Sequence, residues 1–342
     1  MNTSYNVKPI GLSSGFKGGM AFVFFLLMWA AVVACAAVEN PSEGWRPVKP
    51  VRLLLPFAPG GGSDALARVI TPKLQEYLGQ PWVIDNRGGA GGNIAADIVV
   101  HANPDGHTVF MGFSTVITVN PHLYKLAFDP IKDLLPVTML NSGQYMLVLH
   151  PSVKADNFAE FVALSKSKTG GLSYSSAGIG TPLHLAAELF KARTGANLVH
   201  VPYKGGGPAS LAVLAGEVQL LFGSLPSVLP QVKTGRLRAL AVTGLKRAQL
   251  APDIPTVAEM GYKDFEVGSW YGFFLPRQTN EKIVRTLTQQ ALRIIDQAES
   301  KEAIMKLGLE VTPLSGSAFN QHIIKESQTW AKVIQSAGIR SE

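Results

Sequence analysis

The chain has 342 residues, 46% hydrophobic and 16% charged, which excludes a disordered or coiled-coil protein and leaves room for roughly two domains. The formal net charge of +7 includes Lys8 and Lys17 near the start, so the remainder carries two fewer, +5; no five Lys/Arg stand in a row, which gives no nucleic-acid footprint. Cys35 is the one cysteine, so a disulfide framework is excluded.

Residues 1–18 carry two lysines and no acid, and Met20 to Val33 form an apolar run of signal-peptide length, short for a membrane span. Cys35-Ala36-Ala37 fits a small-x-small cleavage site before Val38. Residues 1–37 are therefore read as a signal peptide and the mature protein as periplasmic. Val32-Val33-Ala34-Cys35 is also similar to a lipoprotein processing site, which leaves anchoring through Cys35 open.

The mature part opens with the strand Val51-Arg52-Leu53-Leu54-Leu55. It runs into Pro56-Phe57-Ala58-Pro59-Gly60-Gly61-Gly62-Ser63-Asp64 and then a helix reaching about Leu78, with Leu66, Ile70 and Leu74 on one face. Glycines between a buried strand and a helix start leave amides bare, with the positive end of the helix dipole behind them. Such a turn holds an anion without a charged side chain. Trp82 to Asp85 reads as the next strand, followed by the glycine-rich Gly88–Gly92 loop, a helix from Ile94 to about His101 and a third strand over Thr108–Gly112. The β-α-β-α-β order implies a parallel sheet with helices on its faces.

Val137–His150 reads as a long extended crossing into a second unit that repeats the plan. Leu172-Ser173-Tyr174 leads to a second anion-holding turn, Ser175-Ser176-Ala177-Gly178-Ile179-Gly180-Thr181-Pro182, and a helix to Thr194. Strands at Leu198–Val201, Leu220–Ser224 and Leu237–Val242 and a helix over Pro208–Ala215 follow. Phe265–Leu275 reads as the return, and helices near Glu281–Leu307 and Ser317–Ala337 complete the first lobe. The expected division is 38–140 and 269–342 for lobe 1 and 141–268 for lobe 2. Ligands of open parallel sheets bind outside the carboxyl ends of the strands, so both turns face the cleft between the lobes.

Other motifs compete with this assignment. The first turn lacks the lysine of a Walker loop, yet Gly60-x-Gly62-x-x-Ala65 with Asp85 downstream mimics a dinucleotide fingerprint, which keeps an oxidoreductase as an alternative. The mature chain has no G-x-S-x-G, and the lone cysteine precludes a thiol–histidine pair there. His184 and Glu188 at i, i+4 could hold a metal only with a third ligand, and none stands at recognisable spacing.

The residues resemble a known family. Pro56 to Asp64, Asn86-Arg87-Gly88-Gly89-Ala90-Gly91-Gly92-Asn93-Ile94, Pro104-Asp105-Gly106, Asn120-Pro121-His122-Leu123-Tyr124, Gly178 to Leu185, Val201-Pro202-Tyr203-Lys204-Gly205, Leu237 to Thr243, Pro252 to Glu259 and Trp270-Tyr271-Gly272 are similar to the signatures of Bug-type receptors. These are the extracytoplasmic solute-binding proteins of tripartite tricarboxylate transporters. The resemblance implies an α/β, two-lobed periplasmic-binding-protein fold of type II, each lobe a mainly parallel sheet flanked by helices. It implies a ligand-binding set of Ala58, Pro59, Gly60, Gly61, Gly62, Ser63 and Asp64 from one lobe. Ala177, Gly178, Gly180, Thr181 and His184 come from the other, with Ser114, Thr115, Tyr203, Lys204 and Ser224 on the walls. Asp64 serves equally as a helix cap or a ligand contact. The expected ligand is a small carboxylate and the expected partners are membrane permease subunits, for a monomer without cofactor, catalysis or nucleic acid. A sensor reporting to a membrane kinase remains an alternative to the permease.

Overall fold

Residues 1–2 and 44–340 are described by the computed structural model; the expected leader, its cleavage site before Val38 and Cys35 lie outside the described residues. Strands β1 (Val51–Leu55), β2 (Trp82–Asn86) and β3 (Thr108–Phe113) run parallel, with β1 in the centre. Val51, Leu53 and Leu55 of β1 face one apolar cluster and Leu54 another, so the strand is covered on both sides. The first cluster is closed by Leu66, Ile70 and Leu74 of the Gly62–Leu78 helix, the second by Ala95, Ala96 and Val99 of the Asn93–Val100 helix.

Strand β4 (Leu134–Leu149) has 16 residues, about 50 Å of extended chain, and runs through both halves of the molecule. Strands β5 (Leu172–Ser176), β6 (Leu198–Pro202), β7 (Leu220–Ser224) and β8 (Arg238–Val242) build the second lobe, and β9 (Gly268–Pro276) returns to the first. The short β10 (Leu314–Ser315) pairs with the first half of β4. Lobe 1 has the order β2-β1-β3-β9-β4; lobe 2 has β6-β5-β7-β4-β8. In each lobe three strands run parallel, β2-β1-β3 and β6-β5-β7, while the crossing strands β4 and β9 add antiparallel pairs, so the sheet is mixed.

The expected division points fall within β4 and at the first residue of β9. The long Gly316–Ala337 helix serves both halves: Phe319 and Ile323 pack into a lobe 1 cluster, whereas Trp330, Val333 and Ile334 join the lobe 2 core. Two helices of nine or more residues stand where the sequence predicts none, Phe158–Ser167 and Leu225–Lys233. The first is capped by Asn157, whose side chain accepts from the Glu160 amide. The second carries Pro226 in its first turn and Pro230 inside.

Candidate functional site

In the first turn, Gly61 is the N-cap of the Gly62–Leu78 helix, whose own amides begin bonding at Ala65 to the Gly61 carbonyl. The amides of Gly62, Ser63 and Asp64 therefore have no carbonyl of their own helix to reach. Asp64 is buried and shapes the turn: its carboxylate accepts from the Gly60 amide at 3.1 Å and from Arg68 Nε at 2.9 Å. The Arg68 hydrogen bond, outweighing the cost of burial, holds its carboxyl below the usual range. Ala58, Pro59 and Gly60 lie exposed beside it. The Gly88–Gly92 loop packs directly on this turn; Gly92 lies so close that a Cβ there would stand 2.8 Å from Pro56 Cβ.

Three hydroxyls converge on this end of the lobe 1 sheet. Ser63, in the first turn of the helix, and Ser114, just past β3, are fully buried, and neither Oγ has a hydrogen-bond partner among the described residues. A buried hydroxyl without a partner is costly, about 1–3 kcal/mol, and marks a place where a partner belongs. Tyr271 on β9 brings the third: a Cβ on Gly62 would lie 2.8 Å from its Oη, so only glycine admits this approach. The Tyr271 ring packs on Phe113, with centroids 4.9 Å apart. Burial and the neighbouring Tyr145 raise the Tyr271 pKa, so its hydroxyl keeps its proton and can donate. Tyr145, on the second half of β4 opposite Ser224, is pushed up to about 12 by burial. Thr115 is half-buried next to Ser114.

The second turn, from Ala177 to Thr181, is closed on itself. Thr181 donates to the Gly178 carbonyl through both its amide and its Oγ1, at 3.3 and 2.7 Å. The Gly178 amide reaches Ser176 Oγ and the Gly180 amide reaches His184 Nδ1, both at 3.1 Å. His184 thus sits beneath the turn, 5% exposed, and touches the site through Gly180. Between Gly178 and Thr181, the Ile179 amide is the one without an acceptor among the described residues, and its side chain is exposed. Gly180 (φ +74°) meets lobe 1 directly, since a Cβ there would come within 2.6 Å of Leu123 Cδ1.

The wall residues divide. Tyr203 leaves its carbonyl near Gly178 but turns its ring away, with Oη 3.3 Å from Glu217. Lys204 is exposed and has no ion pair among the described residues. Ser224 stands at the N-cap position of the Leu225–Lys233 helix, where its Oγ caps no amide and donates to Ser227 Oγ at 3.0 Å. The structure thus brings the two turns, Ser114, Thr115 and the crossing-strand tyrosines to the carboxyl ends of the strands, and keeps Tyr203 and His184 at one remove. Tyr271 and Tyr145 were absent from the sequence-derived site, and Ile179 lay within its Ala177–Thr181 stretch without being singled out. Tyr271 had a signal, the Trp270-Tyr271-Gly272 triplet; Ile179 stood between two of the glycines.

Asp85 does not suit the ribose role of the dinucleotide alternative, because Arg52 holds its Oδ2 at 2.5 Å and Arg87 its Oδ1 at 2.8 Å. Glu188, the other half of the metal pair, accepts instead from Tyr174 Oη and Lys191 Nζ. Among the described residues no helix is long and apolar enough to cross a membrane.

Comparison with known proteins bears on the family and the fold. The family model described as the tripartite tricarboxylate transporter family receptor matches residues 66–339. Protein BugT of Bordetella pertussis is 33% identical over 311 residues, covering 90% of this chain and 95% of its own. Among solved structures, Rpa4515 of R. palustris with adipate is 33% identical with a TM-score of 0.73, over 86% of this chain and 99% of that one. MatC of Rhodopseudomonas palustris with bound malate is 32% identical with a TM-score of 0.68, over 84% and 99%. The periplasmic binding protein BugD is 30% identical with a TM-score of 0.69, over 86% and 100%. With two type II lobes facing each other across paired glycine-rich turns, this chain belongs to the Bug-type family of tripartite tricarboxylate transporter receptors.

Proposed function

We propose that this protein captures a small carboxylate between its lobes in the periplasm and presents it, as a monomer, to membrane permease subunits, without chemistry or cofactor. The observation that carries this reading is the pair of buried, unpartnered hydroxyls, Ser63 and Ser114, beside the bare first-turn amides of the Gly62–Leu78 helix. Hydrogen bonds to a charged group contribute about 1.5–3 kcal/mol each. Four or five from Ser63, Ser114, Tyr271 Oη and the amides offset the lost motion and leave affinity in the micromolar range, about −8 kcal/mol. The Ile179 amide adds a donor from the opposite lobe, so the ligand favours the closed arrangement and shifts the population towards it. That adipate and malate accompany two relatives supports a dicarboxylate, with one carboxylate in this cradle.

A thermal-shift screen of the chain from Val38 onward, refolded to strip carried-over ligand, tests the reading. The panel holds malate, adipate, tricarboxylates, amino acids, aromatic acids and NAD. A carboxylate at a hundred times its dissociation constant adds about 2.7 kcal/mol, several degrees for a protein of this size. Stabilisation by NAD alone overturns the proposal.

A further inference from the structure

Beneath the second turn lies an imidazole pair, His184 buried and His200 half-buried, that the ligand site does not use directly. His184, on the Pro182–Thr194 helix, and His200, on β6, stack with centroids 4.0 Å apart and planes 13° from parallel. Tyr174 on β5 stacks on His200 at 4.8 Å. Each imidazole is tied to one glycine of the turn. His184 Nδ1 accepts the Gly180 amide, and His200 Nε2 lies 2.6 Å from Ser176 Oγ, which in turn accepts the Gly178 amide.

We propose that His184 and His200 are positioning residues, a neutral stacked pair that pins Gly178 and Gly180 inward and so leaves the Ile179 amide as the turn's donor to the ligand. This rests on the carboxylate-receptor reading of the site. The chemistry of the Gly180 contact requires a neutral His184. With Nδ1 accepting from Gly180, the single ring proton of His184 is on Nε2. A second proton on Nδ1 would set an N–H against the Gly180 N–H and break that bond. A charge there would also face His200 at stacking distance and the positive end of its own helix, whose N-cap is Thr181. Of the other groups around the pair, Glu188 Oε1 lies 3.9 Å from His184 Nε2 and favours the charge, but it is bound to Lys191 at 2.9 Å and to Tyr174 Oη at 2.7 Å. Burial, the largest influence, and then His200 bring His184 down to about 4, and burial lowers His200 as well.

Two substitutions separate positioning from packing. In His184→Asn the side-chain oxygen stands where Nδ1 stood and can accept the Gly180 amide; in His184→Leu the shape is kept and the acceptor is lost. Proton–nitrogen spectra at pH 7.5 should show the Gly180 amide hydrogen-bonded in the wild type and in His184→Asn. In His184→Leu it should be shifted upfield and exchange at least tenfold faster. Calorimetry with malate and adipate should give about tenfold weaker binding for His184→Leu and near-complete rescue by His184→Asn. On acidification of the wild type, the Gly180 signature should vanish in step with the His184 ring titration. His200→Phe, which keeps a ring in the stack and removes the nitrogen from Ser176 Oγ while leaving that serine in place, supplies the same test at Gly178 should the leucine variant fold poorly. An unmoved Gly180 amide in His184→Leu, or equal loss of binding in both variants with the amide intact, overturns the proposal. The amide measurement needs no ligand, so failure of malate and adipate to bind counts against the receptor reading alone.

Discussion

Ser63 and Ser114 make a pair of opposite effects measurable at single residues. In the free protein each buried Oγ lacks a partner, so replacing it by a hydrogen removes an unsatisfied group and leaves only a small void. Ser63→Ala and Ser114→Ala should therefore leave the melting temperature of the free protein unchanged or raised by a degree or two. Their carboxylate affinity should fall about tenfold each, the loss of one hydrogen bond to a charged group. Calorimetry beside a thermal melt checks both signs; a drop in free-protein stability with unchanged affinity would make these serines structural. At this scale the glycine pattern exposed both turns in the sequence, because only bare amides at a strand's end explain it. What it left dark was the use of individual atoms. Nothing in the spacing of Gly178 and Gly180 indicates that both amides turn inward, or that Asp64 shapes the turn through Gly60 and Arg68.

Elements were legible where the period was clean and opaque where local chemistry cut across it. The Leu225–Lys233 helix carries Pro226 and Pro230, which read as breakers, yet Pro226 falls in the first turn where no amide is needed. Pro230 forgoes only the bond to the Pro226 carbonyl. The Phe158–Ser167 helix is short, but its Asn157-x-x-Glu160 start is a capping signal, with Glu160 returning to the Asp156 amide at 2.8 Å. The second turn is an element whose geometry one atom can upset. Gly180→Ala must hold φ near +74° and place a methyl within 2.6 Å of Leu123 Cδ1. The backbone term costs about 1 kcal/mol whatever Leu123 does. The steric term should vanish on adding Leu123→Ala, since it lies between the lobes. Ligand affinity should drop at least tenfold in Gly180→Ala and recover in part in the double variant, while the melting temperature does not recover. Full recovery of both would mean that the left-handed conformation is not needed.

Across the whole molecule, three continuous segments tie the halves together: β4, β9 and the Gly316–Ala337 helix. The crossings were visible in the sequence as long apolar strands between two repeats of one plan. The bridging role of the last helix was not, because an apolar stripe tells which face is buried and not which partner buries it. Midway along that helix stands Glu326, which accepts from Trp270 Nε1 of β9 at 2.8 Å. Burial pushes its carboxyl up to about 7 against hydrogen bonds from Trp270, Thr118 and Trp330, and the nearby Glu266 adds to the rise. The folded protein therefore holds a proton there that the unfolded chain releases near its ordinary value of 4.5. Stability from this group is full below that value and falls as pH rises towards and through 7. Histidines act with the opposite sign: burial lowers His122, His184, His200 and His322, so they penalise the fold below about 6.5 and drop out above it. The histidines are common to wild type and to a Glu326 variant, so the difference between the two from pH 6.5 to 8 isolates the carboxylate. Glu326→Gln keeps an acceptor for Trp270 and has no proton to lose. The melting temperature of this variant relative to wild type should grow by about 2 °C over that interval, corresponding to roughly 1 kcal/mol. A constant difference across pH 6.5 to 8 would show that Glu326 is ionised in the folded protein throughout, and that the bridge between the lobes carries no proton.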